Sequence, residues 1–162
     1  MGPVQAVNTC LRKYATFSGR ASRSEFWWFT AAMLLSIMAA FALDLTLFEI
    51  SRNEEAPIFY PITEIVSLGY LLPSAAAQVR RLHDIGAPSQ PALLLILTVY
   101  ALGYAVTYLD LTGRVPDYDS ATSYLVCATY FVVVCVGFII LSLLPSQSAT
   151  NPYGPNPNEV PT

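Results

Sequence analysis

Three short polar segments interrupt an otherwise apolar chain, and they hold most of its chemically useful side chains. Arginine offers bidentate hydrogen-bond donors to a carboxylate or a phosphate, whereas Asp and Glu accept such bonds and Asn and Tyr add neutral ones. These residue types can build an internal ion-pair network, bind a phosphate-bearing ligand, or catalyse a reaction. The residues that we call the polar cluster are Arg20, Arg23, Glu25, Arg80, Arg81, His83, Asp84, Asn151, Tyr153 and Asn156.

Catalysis is the alternative that the sequence supports least. His83 is the only histidine, and on a helix its neighbour Asp84 would project about 100° away, so the two do not form an orienting pair by themselves. The cysteines are scattered, at Cys10, Cys127 and Cys135, and this spacing fits neither a disulfide framework nor a metal site. We therefore predict no catalytic residue, no metal and no cofactor, and a protein that is not an enzyme.

The elements that must position the polar cluster are membrane helices. The chain has 162 residues, of which 54% are hydrophobic and 12% are charged, whereas a soluble domain usually has ~25% charged residues. A bilayer core of ~30 Å needs ~20 mostly apolar residues in a helix. We predict an all-α integral membrane protein with a single membrane domain over 1–162, in which four transmembrane helices at about 26–47, 57–80, 88–109 and 122–144 precede a cytoplasmic tail at 146–162.

The placement of basic residues predicts the orientation of these spans. Six of the eight Lys and Arg residues precede the first span or lie between the second and third, and only Arg52 and Arg114 fall in the other two loops. Because basic loops stay on the cytoplasmic side, both termini are predicted to be cytoplasmic. The three polar segments then lie on the same side of the membrane and can meet in one cluster.

The segment before the first span carries two further signals. Apolar residues that recur at helical spacing predict an N-terminal amphipathic helix on the inner membrane surface: Val4, Val7, Leu11 and Tyr14. Gly19 suits a turn, and Ser22 with Glu25 forms a capping-box pattern directly before an apolar run. The sequence thus predicts a surface helix, a turn and a capped transmembrane helix.

The second span contains residues that can serve structure or transport. Pro73 lies deep in the span and is predicted to kink it, next to the small residues of 74–77, which permit close helix contact. Glu64 lies near the outer end, where a helix N-terminus stabilises negative charge. Gly86 is predicted to end the helix as its C-cap.

The order and spacing of the polar segments resemble one known family. The segments read Phe17-x-Gly19-Arg20-x-x-Arg23-x-Glu25-Phe26-Trp27, Arg80-Arg81-Leu82-His83-Asp84-Ile85-Gly86 and Asn151-x-Tyr153-Gly154-x-Asn156-Pro157. They resemble the bacterial family called domain of unknown function 805, which includes YhaH-like membrane proteins. The resemblance implies a small multi-pass protein of the bacterial inner (cytoplasmic) membrane without an established activity. The chain departs from the family pattern after Gly86, where 87–91 replace the usual basic residue, Ser-Gly and tryptophan.

Three functions from different classes remain open. The first is a structural or accessory subunit of a larger membrane protein assembly. The second is a small-solute or ion carrier or channel-like protein, with Pro73 and Glu64 lining a path. The third is a binder of lipid headgroups or phosphate at the cytoplasmic arginines. The predicted partners are the bilayer, with its inner-leaflet anionic lipids, and other integral membrane proteins, but not nucleic acid.

The polar tail is predicted to be ordered. A tail rich in Pro, Asn and Ser normally stays mobile, so order requires a docking place. We predict that Asn151, Tyr153 or Asn156 contacts the segments around Arg23 and Arg80.

Overall fold

The computed structural model describes residues 1–47, 60–111 and 120–158. These residues form helices without a strand, and one isolated bridge joins Asn151 to Gly154. The helices are α1 (Pro3–Arg12), α2 (Arg23–Leu47), α3 (Pro61–Asp84), α4 (Gln90–Leu111) and α5 (Ser120–Leu143). The prediction of an all-α protein is confirmed for these residues.

Helices α2 and α3 are long and apolar enough to cross a membrane, with 25 and 24 residues. They overlap the predicted spans 26–47 and 57–80, of which residues 57–59 lie outside the described part of the chain. Three hydroxyl groups of α2, those of Thr30, Ser36 and Thr46, donate to carbonyls of the same helix, as in the 2.8 Å contact from Ser36 Oγ to the Ala32 carbonyl. A span can therefore carry Ser without leaving a polar group unpaired in lipid.

The chain divides into two compact units. The first comprises Met1–Ala87 together with Pro145–Thr162, and the second comprises Pro88–Leu144. Within the second unit, α4 and α5 are linked by a 2.6 Å hydrogen bond between the hydroxyls of Thr98 and Tyr130. The first unit contains every residue of the polar cluster.

The core of the first unit lies where α1, α2 and α3 meet. Phe29 is 1% exposed, and it packs with Cys10, Phe26 and Ala77. The small side chains of 75–77 are buried, as their predicted role in close helix contact requires. Tyr70 adds a hydrogen bond from its hydroxyl to Ser36 Oγ at 3.1 Å, which ties α3 to α2.

Helix α1 presents three different faces. Gly2 precedes it and Pro3 begins it, because proline has the backbone angle of a first helical residue. Ala6 and Cys10 are fully buried, whereas Val4 is 82% and Leu11 is 47% exposed. The small residues Ala6 and Cys10 are thus the buried side of α1, and Val4 and Leu11 lie on an exposed side.

Asp44 joins α2 to α3 through the backbone of α3. Its carboxylate is fully buried, and it accepts hydrogen bonds from the N–H groups of Ile62 (3.0 Å) and Thr63 (2.8 Å) and from the Thr63 hydroxyl (2.7 Å). The first N–H groups of a helix have no partner within that helix, so Asp44 serves as an N-cap supplied by a different helix. Sequence analysis missed this residue because it lies at the end of an apolar run.

Pro73 leaves one carbonyl of α3 in need of a donor. A proline has no N–H, so the carbonyl four residues earlier loses its helical hydrogen bond. That carbonyl belongs to Gly69, and the Tyr14 hydroxyl donates to it at 2.6 Å. The side chain of Pro73 is buried, whereas Gly69, whose carbonyl it leaves free, is exposed and is bonded by the segment that follows α1.

We expect Tyr14→Phe to destabilise the protein by about 1 kcal/mol, because it leaves the Gly69 carbonyl without its donor. In a Pro73→Ala background the restored N–H of residue 73 can bond to that carbonyl, so Tyr14→Phe should cost much less there. Thermal unfolding of the four variants in detergent measures the difference as a double-mutant cycle. Equal losses in both backgrounds would show that Tyr14 does not serve the carbonyl freed by Pro73.

Candidate functional site

The start of α2 places Glu25 in the polar cluster. The backbone N–H of Glu25 donates to Ser22 Oγ at 3.2 Å, which is the N-cap hydrogen bond that the sequence predicts. Among the described residues, the Glu25 carboxylate bonds to other groups and not to the Ser22 N–H. The predicted capping box is thus half formed, because its acid is used in a tertiary ion pair.

Glu25 and Arg80 form a buried ion pair between α2 and α3. Arg80 Nη1 lies 2.8 Å from Glu25 Oε1, and the exposed fractions of the two side chains are 0% and 4%. Arg80 also donates to Cys10 Sγ at 3.7 Å and to the Ala76 carbonyl at 3.3 Å. Removing one partner of such a pair leaves a buried charge, which typically costs about 3–5 kcal/mol. The pair therefore holds α2 and α3 together at this end, with α1 seated on it.

The thiol of Cys10 lies beside this pair. Its sulfur is 3.6 Å from Glu25 Oε1. Burial, followed by the nearby negative charge of Glu25, raises the pKa of Cys10 to about 11, against the opposing effect of Arg80. Because the thiolate is the reactive form, this position disfavours nucleophilic chemistry.

A second ion pair group is centred on Asp84, the last residue of α3. Its Oδ1 lies 2.9 Å from Arg20 Nε, and its Oδ2 accepts from Arg81 Nη1. Asp84 and Arg81 are fully buried, and Arg20 is 6% exposed. Two guanidinium groups thus share one carboxylate, so the group keeps one excess positive charge and several N–H donors that need acceptors.

The tail supplies those acceptors to Arg20. Arg20 Nη2 donates to the Gln147 carbonyl at 2.6 Å and to the Asp84 carbonyl at 3.4 Å. Its Nη1 donates to the carbonyls of Ala149 (3.0 Å) and Gly154 (3.3 Å). A guanidinium has five N–H donors, and the bond to Asp84 Oδ1 with these four uses all of them.

His83 provides a second docking point for the tail. Its ring stacks on that of Tyr153, with centroids 3.8 Å apart and planes 2° from parallel. His83 Nδ1 lies 3.2 Å from the Gly19 carbonyl, which can only accept, so this nitrogen carries a proton. Asn151 Nδ2 donates to the His83 carbonyl at 2.9 Å. His83 therefore joins three segments of the chain, and it has a structural role in this geometry.

The tail itself is folded into a turn. The Asn151 and Gly154 backbones exchange hydrogen bonds of 3.2 and 3.0 Å, and Asn151 Oδ1 accepts from the Tyr153 N–H at 3.0 Å. Gly154 has a φ of +133°, which glycine adopts at little cost. This turn holds the Tyr153 ring and the Gly154 carbonyl toward His83 and Arg20.

The end of α3 is fixed by Gly86. It has a φ of +78°, its N–H donates to the His83 carbonyl at 3.1 Å, and the Ala87 N–H donates to the Leu82 carbonyl at 2.9 Å. These two bonds define a Schellman motif, as the predicted C-cap requires. A Cβ at Gly86 would also overlap the side-chain amide of Gln147, so the tail approaches the chain closely at this residue.

The structure brings most of the predicted polar cluster together. The docking predicted for the tail is confirmed for Asn151 and Tyr153, whereas Asn156 bonds within the tail, to the Ser148 carbonyl at 3.2 Å. Arg23 is exposed and takes part in none of the three ion pairs found among the described residues. Sequence analysis missed Cys10 as a neighbour of Glu25, and it missed the tail carbonyls, for which no residue type gives a signal because every residue carries one. Among the described residues, no group of His, Cys, Asp and Glu could hold a metal ion.

The fold and the site define a helical protein with membrane-length helices and a polar cluster at one end of α2 and α3. The family model described as "Protein of unknown function (DUF805)" matches residues 14–155, so this chain belongs to that family. No curated protein and no solved structure matches the chain significantly.

We expect Arg20→Lys to release the tail although the charge is kept. A lysine has three donors on one nitrogen, so it cannot bond to Asp84 and all of the tail carbonyls. The loss should be about 2 kcal/mol or more, which corresponds to a fall in Tm of at least about 4 °C. Hydrogen exchange over residues 146–158 should rise at the same time. Arg23→Lys, an exposed change in the same segment, is the control and should alter neither quantity.

We expect Cys10 to resist alkylation in a Cys127→Ala, Cys135→Ala background. With a pKa of about 11, its thiolate fraction at pH 8 is roughly 100-fold below that of an ordinary cysteine, and burial slows the reaction further. A cysteine introduced at exposed Asn8 on the same helix serves as the control, in a chain with Cys10→Ala. Comparable maleimide rates at the two positions would contradict the burial of Cys10.

Proposed function

We propose that this chain is a multi-pass protein of the bacterial inner membrane that serves as a non-catalytic structural or accessory subunit of a larger membrane assembly. In this proposal α4 and α5 form the third and fourth spans, α1 lies on the inner surface, and both termini are cytoplasmic. The observation that carries the proposal is the use of all five Arg20 N–H donors by the chain itself.

The charged groups at the centre of the polar cluster are already engaged in ion pairs and hydrogen bonds within the chain, which leaves few of them to bind a substrate. Asp84 is shared by two arginines, Glu25 is paired with Arg80, and the donors of Arg20 are used by the Asp84 carboxylate and four carbonyls. A phosphate entering here would have to displace a buried carboxylate and the tail, and would leave that carboxylate unpaired. This supports a structural role for the cluster over a phosphate site or a catalytic site at the same residues.

An apolar face of α3 is available for a partner. Ile65, Leu68 and Leu72 share one stripe of the helix, since they are three and four residues apart, and they are 72%, 56% and 47% exposed. In a membrane such a face meets either lipid chains or the helix of another protein. It is the surface through which we propose that the subunit joins its assembly.

The features that suggested a carrier have structural explanations in this fold. Pro73 is buried, and the carbonyl that it frees is bonded to Tyr14. Glu64 lies in the first turn of α3, where the helix dipole stabilises a carboxylate. Both residues thus have a structural explanation, and neither requires a transport function.

A photo-crosslinking amino acid placed in turn at Ile65, Leu68 and Leu72 tests the accessory role in native membranes. We expect adducts with one defined membrane protein along this stripe, and a lower steady-state level of the chain when that partner is deleted. Leu35 on α2, which is 68% exposed, is the control position and should give no such adduct.

Lipid adducts alone at all three α3 positions, with a native particle that contains only this chain, would overturn the accessory role. Solute flux in proteoliposomes from such a particle would instead support the carrier hypothesis. Neither result bears on which lipids the cytoplasmic surface prefers.

A further inference from the structure

The end of the first unit that contains the polar cluster exposes positively charged side chains but no negatively charged ones among the described residues. Its two acids, Glu25 and Asp84, are buried in ion pairs. Its other cations, Arg12, Lys13 and Arg23, are exposed. No carboxylate is exposed at this end in the described part of the chain; Glu159 lies outside that part. The field that this end presents outward is therefore positive.

The contact between α1 and α2 brings these cations to the same end of the first unit. Cys10 Sγ is 3.6 Å from Glu25 Oε1, so the end of α1 and the start of α2 are adjacent. Arg12 and Lys13 follow Cys10 directly, and Arg23 begins α2 two residues before Glu25. All three cations therefore belong to the end of the first unit at which α1 meets the start of α2.

Helix α1 divides this surface into a lipid side and a water side. At about 100° per residue, Val4, Val7 and Leu11 share one stripe, next to the stripe of Ala6 and Cys10 that contacts the first unit. The remaining stripe is polar and consists of Gln5, Asn8 and Arg12. Exposed apolar side chains between a protein contact and a basic polar face are typical of a helix that lies in the headgroup layer.

An exposed tryptophan lies near these cations, close to the start of α2. Trp28, which is 45% exposed, lies in the second turn of α2, close to Arg23 in sequence. Tryptophan prefers the boundary between headgroups and acyl chains. The cations near it therefore lie at the depth of lipid phosphates.

We propose that Arg12, Lys13 and Arg23 form a surface that binds anionic phospholipids of the inner leaflet, with α1 seated among the headgroups. The surface is separate from the buried arginines of the polar cluster, which are engaged within the chain. It rests on the membrane placement in the proposed function, but not on the accessory role. The ligand chemistry is a phosphate monoanion fixed in a bilayer, because the apolar stripe of α1 requires lipid beside the charges.

The test uses the quenching of Trp fluorescence by brominated lipids in reconstituted full-length protein. Brominated phosphatidylglycerol should quench more than brominated phosphatidylcholine at the same mole fraction, because the anionic lipid accumulates near Trp28. A cation at an anionic surface contributes about a fivefold preference. Arg12→Gln with Arg23→Gln should therefore lower the preference about 25-fold, while Tm stays near that of the unmodified protein.

The matched control removes two arginines elsewhere, by Arg52→Gln with Arg114→Gln, and should leave the preference unchanged. The preference of the unmodified protein should also fall as salt is raised, a measurement that needs no variant. Inorganic phosphate should compete no better than sodium chloride of equal ionic strength. Equal quenching by the two lipids, an equal loss in the control pair, or specific competition by free phosphate would each overturn the proposal.

Discussion

Burial of the Asp84 carboxylate between Arg20 and Arg81 is the constraint on which the rest of this structure depends. A charge removed from water costs several kcal/mol unless close partners satisfy it, and Asp84 is fully buried. The chain must therefore bring the segment before α2 against the end of α3. This requirement fixes the path of residues 13–22, and with it the contact that places Glu25 on Arg80.

The excess of positive charge around Asp84 explains why the polar tail is ordered. Two guanidinium groups face one carboxylate, so Arg20 retains donors that no acid satisfies. Backbone carbonyls of 147, 149 and 154 accept from them, and the stacking of Tyr153 on His83 adds a contact that does not depend on charge. Composition alone favours a mobile segment; what orders it is the need of a buried cation for neutral acceptors. A cluster closed in this way locks helix ends, which is why we favour a structural role for it.

The same demand for satisfied polar groups governs the apolar part of the first unit. Asp44 caps the start of α3 from α2, and Tyr14 bonds to the carbonyl that Pro73 frees. In a surrounding that offers no water, each unpaired backbone group would cost several kcal/mol. These two residues, Asp44 and Tyr14, thus satisfy backbone groups that a single helix cannot satisfy for itself. They also explain how the chain tolerates a proline within a helix and an acid within an apolar run.

The sequence by itself determined the helices, their approximate limits and the residues that gather at one end. Apolar length defines α2 and α3, Gly86 ends α3, and Ser22 caps α2, because these features depend on the backbone within a few residues. Only the tertiary structure decided which charges pair. Glu25 lies within reach of its own N-cap, yet it bonds to Arg80, 55 positions away in the chain. Asp44 and the tail carbonyls could not be assigned from sequence, because their partners are backbone groups brought near by helix packing. Local pattern sets which groups are unsatisfied, and the packing of distant segments decides what satisfies them.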